Sequence, residues 1–129
     1  MSKNLKIIIS LVILAIIVVI VVMISVTKEE ENELLRNIEN KIIYFYGEGC
    51  PHCANVEQFL EENNIEEKIQ FEKKEIYSSK ENANLLLLIA KEKCKLSENE
   101  IGVPFLWDKG TCLMGDRPII DNFKEKLKI

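Results

Sequence analysis

An α/β domain with the element order β-α-β-α-β-β-α, preceded by one transmembrane helix, is the fold class this sequence predicts. Three observations carry that prediction. The first is the uncharged, proline-free stretch Ile7 to Val26, interrupted in its apolar character only by Ser10 and Ser25. The second is the pair Cys50-Pro51-His52-Cys53, which stands between the apolar run Ile42-Ile43-Tyr44-Phe45-Tyr46 and a helical pattern. The third is the alternation of short apolar runs with amphipathic stretches from Lys41 to the end, the pattern of strands joined by helices.

As a helix, residues 7–26 span about 30 Å, the thickness of a bilayer's hydrocarbon core. Lys3 and Lys6 could form the positive region of a cleaved signal peptide. The apolar run exceeds the usual signal core of about 7 to 15 residues and lacks a convincing cleavage site, which favours an uncleaved anchor. Lys3 and Lys6 on one flank and Lys28-Glu29-Glu30-Glu31 on the other place the short N-terminus in the cytoplasm and the rest outside it. Residues 1–27 are thus read as cytoplasmic N-terminus and anchor in the cell membrane, 28–40 as a charged stalk, and 41–129 as the folded domain. Leu34, Leu35 and Ile38 give the stalk helical spacing, although a solvated spacer would read the same way.

Beyond Val26 lie all 21 acidic residues and 15 of the 17 basic ones, a net charge of −6. That balance excludes nucleic acid and anionic lipid surfaces as expected partners.

Within 41–129, Lys41 to Tyr46 reads as a buried strand and Pro51 to Asn63 as a helix with Val56, Phe59 and Leu60 inward. Ile69 to Tyr77 reads as a second, parallel strand reached by a right-handed crossover. Ser79 to about Cys94 is expected to be a long helix with the run Leu85 to Ala90 buried. Pro104 to Asp108 and Thr111 to Gly115 flank Lys109-Gly110, a two-residue hairpin turn. Ile119, Ile120, Phe123 and Leu127 mark a closing helix with Pro118 near its start.

Two thiols two residues apart at a strand-to-helix turn can form a reversible disulfide. Cys50 faces the unpaired N–H groups and positive dipole end of the helix, which stabilise a thiolate, so it is read as the nucleophile. Pro51 suits the first helical position. Cys53 shares a face with Val56 and Leu60 and is expected to be the buried, resolving thiol. His52 is the one histidine in the chain. Pointing at Cys50 it would favour the thiolate and make the disulfide a stronger oxidant; otherwise it is a solvated helix residue. A zinc half-site is the competing reading of the cysteine pair, but Cys94 and Cys112 supply no second pair at that spacing.

Phe45-Tyr46-Gly47-Glu48-Gly49-Cys50-Pro51-His52-Cys53 resembles the active-site segment of the thioredoxin-like superfamily. Gly102-Val103-Pro104-Phe105 resembles its cis-proline segment, and Met114-Gly115-Asp116 is similar to the glycine-aspartate turn of glutaredoxins. A Cys-Pro-His-Cys centre with valine before the proline is similar to periplasmic disulfide oxidases. The resemblance covers about Lys41 to Ile129. It implies Cys50 as attacking thiol, Cys53 as resolving thiol, His52 as the tuning residue, and Pro51, Val103 and Pro104 as substrate-facing, with Val103-Pro104 cis rather than an ordinary trans edge proline. It also marks three departures: Tyr44 stands where the relatives carry a buried acid, Gly49 stands where thioredoxins carry a tryptophan before the first cysteine, and the oxidases' extra helical domain has no counterpart, which implies a more open site. In this topology Cys94 and Cys112 fall at the pole away from the active site, as a structural disulfide, two free thiols or a second redox pair.

The function expected is a membrane-anchored, extracytoplasmic thiol-disulfide oxidoreductase donating disulfides to protein thiols. It needs no cofactor and is served by a membrane redox partner. Alternatives are a reductase of a specific envelope partner, a Cu(I) carrier using Cys50, Cys53 and His52, and a non-enzymatic membrane adaptor.

Overall fold

The computed structural model describes residues 2–129, and the chain divides into two compact units, 1–36 and 37–129. The first is built on helix α1, Lys3–Asn37. Its side chains from 7 to 26 are exposed on every side. A helix apolar all round, and this long, is long and apolar enough to cross a membrane. Its two hydroxyls near the end of the apolar stretch turn back on the helix: Ser25 donates to the Val21 carbonyl and Thr27 to that of Ile24. Neither polar group is left unpaired on an apolar surface.

The second unit follows the predicted element order. β1 (Ile42–Tyr46) leads into α2 (Pro51–Glu62), a short α3 (Ile65–Lys68) and β2 (Glu72–Glu75). Then come α4 (Lys80–Glu92), a 3-10 turn at Glu98–Glu100, β3 (Phe105–Asp108), β4 (Thr111–Met114) and α5 (Asp116–Leu127). The strands form one sheet in the order β2-β1-β3-β4, with β1 and β2 parallel and the other pairs antiparallel.

Alternation along β1 decides the layers. Ile42 and Tyr44 face Val56, Leu60, Ile65, Ile119 and Phe123 from α2, α3 and α5, with Leu106 beside them. Ile43 and Phe45 point to the opposite face with Phe105 and Trp107, where α4 buries Leu86, Ile89 and Ala90. Each such fully buried side chain contributes about 1.5–3 kcal/mol. The Trp107 indole N–H is satisfied by the Ile38 carbonyl at 2.8 Å. At the hairpin, Lys109 and Gly110 both take positive φ, 48° and 102°, the type I′ geometry that matches strand twist.

Three expectations need correction. The second strand is four residues, not Ile69 to Tyr77. Ile69 caps α3, and Phe71 packs its ring 5.2 Å from Phe123 before the strand begins. The strand itself reads Glu-Lys-Lys-Glu because it is a sheet edge, where charge blocks further pairing. The turn of helix α3 was not expected; it forms where Ile65 drops fully into the core. In α4 the run Leu85 to Ala90 is not uniformly buried: Leu87 is 37% exposed, because a helix turns only one face to a sheet.

Candidate active site

Gly47, Glu48 and Gly49 carry the chain from the end of β1 to α2. Gly47 lies so close under the Tyr77 ring that a Cβ there would come within 2.3 Å of it. Gly49 has φ of 77°, a conformation glycine adopts without penalty. This turn delivers Cys50 as the N-cap of α2, with Pro51 at the first helical position. The Cys50 sulfur accepts the Cys53 backbone N–H at 3.2 Å, so one of the helix's unpaired donors is spent on the thiol. Cys50 is half-buried and Cys53 is buried, 2% exposed; both are free thiols.

Burial, then the hydrogen bond with Cys50, push the Cys53 thiol up to about 12. Cys53 is therefore protonated throughout the physiological range. The two thiols are thus inequivalent: one at the surface beside N–H donors, the other dry and neutral beneath it.

Val103 and Pro104 lie across from this pair, joined by a cis peptide bond. The Val103 carbonyl accepts from the Cys50 thiol at 3.7 Å. Pro104 is buried at the head of β3, and its own carbonyl accepts the Gly115 N–H at 2.9 Å. A cysteine pair capping the first helix of a β2-β1-β3-β4 sheet, opposite a cis-proline before the antiparallel hairpin, decides the architecture. The second unit has a thioredoxin-like fold. Among solved structures the chain is similar to glutaredoxin 1 from Francisella tularensis in complex with cacodylate. The identity is 21% and the TM-score 0.48, with 69% of this chain and 98% of that one covered. No family model and no curated protein matches the chain.

His52 is turned toward Asp116, not held against the Cys50 sulfur. Its Nδ1 is 3.2 Å from the Asp116 carboxylate, which also accepts from the Asn55 amide at 2.7 Å. These contacts tie the first two turns of α2 to the start of α5. The Asn55 hydrogen bond, then that of His52, hold the Asp116 carboxyl well below the usual range, at about 2. A carboxylate depressed on folding stabilises above its ordinary range and loses that contribution as pH falls through its folded value. The tie should therefore be intact at neutral pH and open only as pH approaches about 2. The Asp116 carboxyl carbon, followed by NMR titration, checks this; a midpoint near an ordinary aspartate's would show the tie absent in solution.

Tyr44 is fully buried and its hydroxyl donates to the Cys53 carbonyl at 3.5 Å. Burial above all raises its pKa far out of range. It is a neutral donor and no base. Glu48 is exposed. A groove of about 510 Å³ beside the thiols is lined by Tyr46, Gly47, Cys50, Pro51, Cys53 and, one turn further along α2, Glu57. Sequence reasoning passed over Glu57, Asn55 and the partner role of Asp116. The four-residue spacing of Glu57 from Cys53 was the available signal.

Cys94 and Cys112 do not join this site. They are bonded to each other, with Cα atoms 6.0 Å apart. Cys112 pairs with Trp107, whose β1 partner is Ile43 near the strand's start, while Cys50 follows the strand's end. The bond therefore lies at the opposite pole. Among the described residues no three His, Cys, Asp or Glu side chains are grouped to hold a metal ion.

Proposed function

We propose that this chain is a membrane-anchored thiol-disulfide oxidoreductase that passes disulfides to protein thiols outside the cytoplasm. The observation that carries the proposal is the inequivalent pair. Cys50 sits at a helix N-cap accepting the Cys53 N–H, and Cys53 lies neutral and buried beneath it. In the donor direction a substrate thiolate attacks the Cys50 sulfur of the Cys50–Cys53 disulfide, and Cys53 leaves. A second substrate thiolate then displaces Cys50, which departs as the thiolate that its cap stabilises. The substrate dithiol is oxidised and the cysteine pair reduced, with two electrons moved and no cofactor. Pro51 and the Val103-Pro104 segment line the approach, so an extended substrate would pass between them.

The anchor reading rests on α1, and the orientation on Lys3 and Lys6 against the glutamates at 29–31. The Cys94–Cys112 bond favours an oxidising compartment. A membrane redox partner would restore the disulfide. A Cu(I) carrier would have to use Nε2 of His52 beside the two thiols, since Nδ1 is engaged by Asp116.

That same engagement favours a second reading. A carboxylate beside His52 offsets the charge that would otherwise favour the Cys50 thiolate, which would make the pair less oxidising and suit a reductase of one envelope partner. The reduction potential of the full chain in detergent, equilibrated against glutathione buffers, separates the two. A donor is expected toward about −120 mV, and a value near about −270 mV would replace it with the reductase.

A further inference from the structure

Cys53 cannot act in the resolving direction while it holds its proton. Burial keeps that proton on; Tyr44 is a neutral donor, and Glu48, though it lines the same groove, is exposed on the turn before α2 and not on the helix that carries Cys53. Glu57 is the carboxylate one turn along the same helix. At four residues' separation it stands over the same face as Cys53, and it lines the same groove as both thiols. One of its oxygens, Oε2, is held by the Lys73 ammonium from β2. The other, Oε1, is buried and has no hydrogen-bond partner among the described residues. A buried carboxylate oxygen left unpaired is costly and calls for an explanation.

We propose that Glu57 is the proton acceptor for Cys53 in the resolving step, with Lys73 as the positioning residue that holds its carboxylate. This rests on the redox reading of the cysteine pair. With Cys50 in a mixed disulfide, the Cys53 proton passes to Glu57 Oε1, directly or through one water. The Cys53 thiolate attacks the Cys50 sulfur, the Cys50–Cys53 bond forms, and the substrate sulfur leaves as a thiolate that takes a proton from protonated Glu57 or from solvent. Cys50 and Cys53 end oxidised and the substrate disulfide reduced. In the donor direction the same path returns the proton to Cys53.

The surroundings fit a proton carrier. Tyr46 from β1, Glu48 from the turn after it and Glu61 one turn along α2 line the groove with Glu57, while Tyr44 lies buried in the core with its hydroxyl on the Cys53 carbonyl. Lys73 lies over the Tyr46 ring, 5.6 Å from its centroid, and also pairs with Glu66 of α3 at 3.1 Å. Burial works against the Lys73 charge, yet its bonds to Glu57 and Glu66 outweigh that and hold its pKa above the ordinary range. The lysine therefore stays cationic and keeps its bonds while Glu57 exchanges a proton through the other oxygen. Glu57's own charge also discourages Cys53 from ionising alone, which couples loss of the thiol proton to its capture by the carboxylate.

The test is stopped-flow reaction of the reduced full chain in detergent with the chromogenic disulfide dithiobisnitrobenzoate. Attack by Cys50 releases one thionitrobenzoate, and resolution by Cys53 releases the second. In Glu57→Gln the first phase is expected to be unchanged. The second should slow by about a hundredfold, the scale of general-base catalysis, and become proportional to hydroxide concentration. Glu57→Asp should recover part of the rate. An unchanged or faster second phase in Glu57→Gln overturns the proposal, because loss of charge repulsion alone would let Cys53 ionise more readily. If glutamine prevents folding, Glu57→Asp decides: slowing of the second phase alone supports the role, and two unaltered phases overturn it. A wild-type chain that shows no first phase fails the redox reading itself.

Discussion

Cys50→Ser is expected to lose thiol-disulfide exchange by about a thousandfold or more, since in the proposed mechanism it removes the nucleophile on which both halves of the reaction depend. Cys53→Ser should behave differently. Its Cys50 remains at the N-cap, and the backbone N–H of residue 53 that supports the sulfur is untouched by the substitution. Attack proceeds, but nothing resolves the product, so substrates accumulate as mixed disulfides. Incubation with oxidised glutathione, followed by intact-mass measurement, should give no adduct on Cys50→Ser and one glutathione on Cys53→Ser. Wild type should pass through that adduct to the internal disulfide. An adduct on Cys50→Ser at the wild-type rate would mean that Cys53 is the exposed nucleophile, against its 2% exposure, and would overturn the assignment of roles.

The second large effect concerns stability. Cys94 and Cys112 are 18 positions apart and join the end of α4 to β4. Closing a loop of that size lowers the entropy of the unfolded chain by an amount worth about 3 kcal/mol in the loop-closure account. For a domain of this size the double variant Cys94→Ser, Cys112→Ser should melt more than about 10 °C lower. It should keep its exchange at Cys50, which lies at the other end of β1. Thermal unfolding by circular dichroism with a thiol-exchange assay alongside reads both. Unchanged melting would mean that the bond constrains nothing, and loss of exchange would mean that the two poles are coupled.

What could be read in advance was what neighbours in sequence decide. Cys50-Pro51-His52-Cys53 declared a helix start with two thiols because proline's fixed φ and the absence of its N–H suit that position. Lys109-Gly110 declared the hairpin because both residues must take positive φ. The spacing of Ile119 and Phe123 declared the closing helix, and both are fully buried in it. The second strand was misread because its apolar neighbours, Ile69 and Phe71, lie before it while its own residues are charged. Burial by packing and pairing in a sheet are separate events, and only the sheet's order shows that this strand is an edge.

By itself, then, the sequence determined the element order, the long apolar helix and the chemistry available at Cys50 and Cys53, all governed by backbone geometry and periodicity over a few residues. Only the tertiary structure decided where each charge goes. Asp116 meets His52 and Asn55 across 64 and 61 positions, Lys73 reaches Glu57 across 16, and Cys94 bonds Cys112 rather than serving the site. A side chain's partner depends on which faces the sheet and helices bring together, and that juxtaposition exists only once the apolar faces have been buried against each other.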